Sequence, residues 1–403
     1  MAGLNETPRG SRIHIAFFGL RNAGKSTLVN AFTGQQIAIV SDIPGTTTDP
    51  VSKAMEILPL GPCLVTDTAG LDDEGELGAM RVEKTLKVLE TVDIAVWVDG
   101  RADCPQSAAA RPESAPYRAV ASACKSRGVV LLEYKRGDSV EELKKKITAV
   151  KLEEKVPGLL DGLVKKGDRV LCVVPIDASA PKGRLILPQQ QVIRECLDRH
   201  AICTVSQVDG LGGLESLGGL GCFDLVITDS QAFGEVDRML QTFQTSKPSK
   251  HPKLTSFSIL IARQKGDLQE FVKGLKAIES LKDGDTVLVA EGCTHHRQCN
   301  DIGTVKIPKA LEKLSGRKLK FEFASGSGFL ESCASLTSGE DAASPLAMVV
   351  HCGGCMLTRR EMLRRIDLAK DACVPIVNYG LVLAMANGLG LESLEGLGGL
   401  EGG

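Results

Sequence analysis

The residues with the most chemistry in this chain are His351-Cys352-Gly353-Gly354-Cys355 and, upstream, Cys293-Thr294-His295. Two close thiols, a remote third thiol and two imidazoles could hold a metal or work as a redox dithiol. Near the other end, Gly19-Leu20-Arg21-Asn22-Ala23-Gly24-Lys25-Ser26 fits the phosphate-loop pattern G-x-x-x-x-G-K-S. Glycines there let backbone N–H groups turn inward around phosphates, and a following helix adds the positive end of its dipole. Gly19, Asn22, Ala23, Gly24 and Thr27 are the expected cradle, with Lys25 reaching the outer phosphates and the Ser26 hydroxyl holding Mg²⁺.

Two later motifs turn a nucleotide site into a GTPase-type switch. Asp67-Thr68-Ala69-Gly70 ends an apolar run, which puts a carboxylate beside the metal and the Gly70 N–H near a γ-phosphate. Between the motifs lies Pro44-Gly45-Thr46-Thr47-Thr48-Asp49, where a switch loop closes a threonine hydroxyl onto Mg²⁺; Thr47 is the expected ligand. Leu71 stands where many GTPases carry a glutamine that orients the attacking water, so hydrolysis of GTP is expected to be slow. Asn22 within the loop, with Gly45-Thr46-Thr47-Thr48-Asp49, resembles the potassium-activated GTPases of tRNA modification and ribosome assembly. In that group the counterpart of Asn22 coordinates K⁺; the plainer reading is a helix cap. A clean guanine-reading N-K-x-D is missing, and the nearest match is Tyr134-Lys135-Arg136-Gly137-Asp138, with Asp138 as the candidate acceptor of guanine N–H groups.

Positioning these groups requires strands. Apolar runs at 13–19, 63–67, 94–99 and 129–133 alternate with helical patterns, and the run at 13–19 feeds straight into the phosphate loop. The cysteine motifs likewise begin where strand-like runs at 286–290 and 346–350 end. In parallel α/β sheets ligands bind at the carboxyl ends of strands, so two neighbouring strands bring Cys293, Cys352 and Cys355 together. Three chemistries fit that set. Zinc would take three thiolates and one imidazole. A Cys352–Cys355 dithiol after a strand would resemble the thioredoxin arrangement. An iron–sulfur cluster with three cysteines and a replaceable fourth ligand, His295 or His351, uses every member.

The whole chain is read as α/β in three domains with mostly parallel sheets: a phosphate-loop GTPase domain over 1–150, and smaller α/β domains over 158–245 and 254–403. Strand-like runs are expected at 170–176, 201–205 and 224–228 in the second, and at 256–262, 286–290, 318–323 and 346–350 in the third. The tracts GLGGLESLGGLG at 210–221 and GLGLESLEGLGGLEGG at 388–403 read as mobile, because glycine disfavours helix and strand alike. Cys63, Cys172 and Cys203 fall on apolar runs and read as small core residues. A net charge of −2 offers no basic field for nucleic acid or an anionic membrane. No apolar run approaches the roughly 20 residues of a membrane helix. Thirteen cysteines without a secretory signal point to a reducing compartment, cytoplasmic or, in a eukaryote, an organelle.

Over nearly its full length the chain resembles the HydF family, the GTPase maturation factors of FeFe-hydrogenase. The resemblance rests on residues 5–10, 19–26 and 45–50, on the segment VPIDASAPKGRLILP at 174–188, and on Ile227-Thr228-Asp229-Ser230-Gln231. It continues through Glu291-Gly292-Cys293-Thr294-His295-His296, Asp301-Ile302-Gly303, residues 351–355 and Asn378-Tyr379-Gly380. It implies a GTPase domain, a dimerisation domain and a cluster domain in a homodimer. It also implies a 4Fe–4S cluster on Cys293, Cys352 and Cys355 with a labile fourth position, and a transient diiron subcluster carried to the apo-hydrogenase. Two radical-SAM maturases would be further partners, with GTP hydrolysis gating partner exchange. The rival reading is a regulatory GTPase of tRNA modification or ribosome assembly with a zinc or redox C-terminal domain.

Overall fold

The computed structural model describes residues 7, 9–34, 51–71, 85–99, 114–135, 137–151, 156–176, 185–217, 219–246, 252–292, 301–325, 329, 346–354 and 357–388. Two compact units result, residues 1–155 with 356–361, and residues 156–355 with 362–403.

The first unit contains β1 (Ile13–Phe18), α1 (Lys25–Thr33), β2 (Val51–Ile57), β3 (Gly61–Asp67), β4 (Ile94–Val98), α2 (Ala115–Ser126), β5 (Val130–Tyr134) and α3 (Val140–Thr148). IHIAFF and IAVWV are buried almost throughout, as expected of central parallel strands covered on both faces. Their alternation divides the core: Ile15, Phe17 and Val96 pack with Phe32 and Leu143 on one face, Ala16, Phe18 and Trp97 with Leu89 and Val120 on the other. Strand order is β2-β3-β1-β4-β5, parallel except for β2 against β3. The chain leaves β1 for one side and returns on the other, so a crevice opens at the carboxyl end of β1, where the phosphate loop begins.

In the second unit a sheet of order β7-β6-β8-β9 is built from β6 (Arg169–Val173), α4 (Leu187–Asp198), β7 (Ile202–Ser206), β8 (Leu225–Thr228), α5 (Phe233–Ser246) and β9 (Lys253–Ser256), followed by α6 (Phe257–Lys265). Two expectations are corrected here. The run at 256–262 is a helix, because the Ser256 hydroxyl accepts the Ile259 N–H at 3.2 Å and caps it. A short apolar run does not distinguish a buried helix from a strand by periodicity. Phe257, Leu260 and Ile261 of α6 complete the core of this sheet, and β9 pairs with β8, so the second sheet runs past the boundary expected before 254. The glycine–leucine tract is also structured: Leu211, Leu214 and Leu220 are buried against Leu171, Val173 and Val226. The second tract falls almost wholly outside the described residues. Cys63 and Cys172 are core residues as expected, and Cys203 is partly buried beside Cys172, their sulfurs 3.8 Å apart.

A further sheet in the same unit uses α7 (Leu268–Ala277), β10 (Thr286–Glu291), α8 (Ile307–Ser315), β11 (Lys320–Ser325), β12 (Leu346–His351), α9 (Arg359–Asp371), β13 (Ile376–Asn378) and α10 (Tyr379–Ala386). Its order is β11-β10-β12-β13, all parallel. Helix α7 lies so close to β13 that no Cβ fits at Gly274 against the Ile376 carbonyl. After β10 the chain adds β11 on one side and β12 on the other. The switch point therefore falls between the carboxyl ends of β10 and β12. Hydrogen bonds tie α10 to the second sheet: the Ser230 hydroxyl donates to Gly380 O at 3.2 Å, and Asn387 Nδ2 donates to Ser230 O at 3.0 Å.

Candidate functional site

At the phosphate loop, the backbone explains the residue types. A Cβ on Gly19 would meet Val98 O at 2.7 Å, and Gly24, at φ 90°, occupies the left-handed region as the N-cap of α1. Asn22 also sits at φ 59°, a conformation asparagine tolerates better than most residues. The N-cap of α1 is Gly24, so Asn22 is not the helix cap of the plainer reading; it stays exposed on the loop. Ala23 is partly buried under the loop and Thr27 is exposed in the first turn of α1. Backbone N–H groups at the start of a helix are donors for an anion.

Lys25 is buried, and its Nζ donates to Leu20 O at 2.7 Å and Gly19 O at 3.2 Å. Ser26 Oγ donates to Asp67 Oδ2 at 2.6 Å. Asp67 is fully buried, and among the described residues its Oδ1 has no hydrogen-bond partner. Burial pushes the Asp67 carboxyl up from its ordinary range, opposed by the Ser26 hydroxyl and the Lys25 ammonium. A hydroxyl and a carboxylate with an orphaned oxygen form a hard-oxygen donor pair, which fits Mg²⁺. The Asp67–Gly70 segment is fixed to the loop: Leu71 N donates to Gly19 O at 3.3 Å, and a Cβ on Gly70 would meet Arg21 N at 2.8 Å. Leu71 itself is buried and carries no group to orient water. Thr47 lies outside the described residues. Asp138 Oδ2 accepts the Lys135 N–H at 3.0 Å and lies 3.9 Å from Lys146 Nζ, so this oxygen closes its own turn.

At the carboxyl ends of β10 and β12, Cys352 N donates to Ala290 O at 2.9 Å, stitching the two segments together. The Cys352 sulfur accepts two backbone N–H groups, from Gly292 at 3.1 Å and from Gly354 at 3.4 Å. Gly354 reaches this geometry at φ 62°. Such donors stabilise a thiolate and are the hydrogen bonds that cluster-ligating sulfurs take. Cys293, His295 and Cys355 lie outside the described residues, and among the described residues no three His, Cys, Asp or Glu side chains converge as a metal site.

His351 is fully buried one residue before that thiol. Its Nδ1 lies 2.8 Å from Cys352 O, and its Nε2 lies 2.9 Å from Arg365 Nη1. Burial, and secondarily the Arg365 charge, push the imidazole down to about 3, so the ring is neutral. Both ring nitrogens thus have partners within the chain. Arg365 was not legible as a site residue. Its signal is a basic residue in the buried stripe Met362, Arg365, Ile366, Ala369 of α9.

Three domain profiles match the chain. Residues 14–124 match a 50S ribosome-binding GTPase, residues 159–266 the hydrogen maturase F dimerization domain, and residues 269–395 the hydrogen maturase F tetramerization domain. Among curated proteins, the tRNA modification GTPase MnmE of Methylobacterium sp. (strain 4-46) is 39% identical over 121 residues, 28% of this chain and 26% of that protein. GTPase Der of Campylobacter hominis is 43% identical over 88 residues, 22% of this chain and 19% of that protein. The chain therefore spans about a quarter or less of the length of these relatives. A crystal structure of Era from Aquifex aeolicus bound to GDP and aluminium fluoride aligns at 16% identity and a TM-score of 0.24, over 77% of this chain and 93% of that one. The strand order and phosphate loop carry the GTPase fold assignment for the first unit. No described helix is long and apolar enough to cross a membrane.

Proposed function

Because the chain belongs to the hydrogen maturase F family, we infer that it is a GTP-hydrolysing scaffold that completes the diiron subcluster of an FeFe-hydrogenase and hands it on. One observation carries the reading: the residues immediately preceding Cys293 and Cys355, Gly292 and Gly354, both donate to the Cys352 sulfur. Segments far apart in sequence, each followed by a further cysteine, thereby meet at one strand-end crevice, which supports a shared site for the three thiols. Cys293, Cys352 and Cys355 would hold a 4Fe–4S cluster whose fourth position stays exchangeable, with His295 the remaining imidazole for it. The diiron unit is cargo, received from two radical-SAM maturases and delivered to apo-hydrogenase. Domains matched as dimerization and tetramerization modules support self-association, as a homodimer or higher.

In the first unit Ser26, Thr47 and Asp67 would hold Mg²⁺, which neutralises phosphate charge when bound, while the Lys25 ammonium and the N-terminal end of α1 would orient the nucleotide. Asp138 stands nearest to a guanine reader. Switch loops that order on the γ-phosphate and relax after hydrolysis would gate partner exchange. Co-expression of this chain with an FeFe-hydrogenase and two radical-SAM maturases is expected to yield H₂ production that omission of the chain abolishes. Hydrogenase activity independent of the chain would sink the assignment.

Asn22, exposed on the loop ahead of the Gly24 N-cap, would ligate K⁺ and place a positive charge beside the phosphates. GTP hydrolysis is therefore expected to be faster in KCl than in NaCl, and Asn22→Ala to erase the difference. Equal rates in both salts for the unaltered chain would remove the potassium assignment.

A further inference from the structure

Beneath the cysteine loop lies a stack of three fully or nearly fully buried side chains. Phe329 sits with its ring centroid 5.8 Å from that of His351 at 75°, and the Arg365 guanidinium carbon lies 5.0 Å from the Phe329 centroid. Edge-on aromatic contact and cation–π stacking fix the His351 ring plane and the guanidinium together. The hydrogen bonds then fix the proton. A guanidinium only donates, so Nε2, 2.9 Å from Arg365 Nη1, must accept; a carbonyl only accepts, so Nδ1, 2.8 Å from Cys352 O, must donate. Only one neutral tautomer satisfies both partners.

We propose that His351 is a positioning residue and not a cluster ligand: Arg365 locks its Nδ1–H tautomer so that the ring pins the Cys352 carbonyl. The consequence lies at the sulfur. Cys352 is held by its N–H on Ala290 O and by its C=O on His351, which leaves its Sγ facing the converging N–H groups of Gly292 and Gly354. Releasing the ring would loosen the one described thiol of the site. Groups that orient a metal ligand in this way typically change metal retention about 10–100-fold when removed. The proposal rests on the cluster-scaffold reading for its consequence, but the lock itself is a property of the metal-free chain.

Two measurements decide it. In metal-free chain labelled with ¹⁵N-histidine, the His351 ring is expected to show a protonated Nδ1 and an unprotonated Nε2; the opposite tautomer or an imidazolium overturns the lock. In chain reconstituted anaerobically with iron and sulfide, Arg365→Met is expected to lose iron to a chelator about 10–100-fold faster than the unaltered chain. His351→Asn, whose amide N–H can stand where Nδ1–H stands, is expected to lose it more slowly than His351→Gln. Pulsed EPR of the reduced cluster is expected to show the same nitrogen couplings in the unaltered chain and His351→Asn. A strongly coupled nitrogen lost in His351→Asn, or equal iron loss from the unaltered chain and Arg365→Met, overturns the proposal. If the unaltered chain takes up no cluster, the scaffold reading fails, while the tautomer still decides the lock.

Discussion

Cys352→Ser is expected to abolish the iron–sulfur cluster. Reconstituted anaerobically, the variant should lack both the broad visible absorption of thiolate-bound iron and the EPR signal that reduction gives the unaltered chain. Serine keeps the size of the side chain, so the β12 strand end and its bond from Cys352 N to Ala290 O are preserved in the variant. What it removes is a soft thiolate already supplied with two N–H donors, at 3.1 Å and 3.4 Å. A hydroxyl at that point is a weak, hard donor, and two remaining cysteines do not hold a cubane. A serine variant with an unchanged spectrum would show that iron binds elsewhere. Zinc retained by the unaltered chain through reconstitution would instead favour a closed structural site.

Lys25→Met is expected to lower kcat/KM for GTP about 10²–10³-fold, the scale on which single preorganised charge-stabilising groups act. Methionine preserves the buried apolar stem and removes the ammonium. In the described chain that ammonium is satisfied by Leu20 O and Gly19 O, both within the loop. A β- or γ-phosphate would draw the same group outward, so its interaction strengthens as charge builds on the transferring phosphoryl. Release of inorganic phosphate under saturating Mg²⁺ measures the effect. Rates equal to those of the unaltered chain would mean that the loop does not bind phosphate in the expected manner.

How much of this was legible depended on burial. Strands β1, β3 and β4 are continuous apolar runs, and their positions follow from that pattern. β2, VSKAMEI, lies at the sheet edge with most of its residues exposed, so its charges and polar groups hid it. β13 is three residues long and depends on α7 lying against it, a tertiary fact with no local trace. Helix α6 reads as a strand in sequence because its apolar residues are buried nearly all round, which removes the 3.6-residue alternation. At the sites, phosphate loop and cysteine motifs were legible because their chemistry is local in sequence. Arg365 was not, since it is one arginine of several in a highly charged helix and only its angular position marks it. His351 was legible as chemistry but not as role: its partners are a backbone carbonyl and an arginine a helix away.

The glycine–leucine tract has a consequence for what the chain can lose. Leu211, Leu214 and Leu220 cover Leu171, Val173 and Val226 on one face of the second sheet. A segment with the composition of filler is therefore a roof. Deleting it would shorten a loop on paper and, in water, uncover a flat apolar sheet face of the kind that sticks to its own copies. Sequence that looks dispensable because it is repetitive here forms part of the cover of an apolar sheet face.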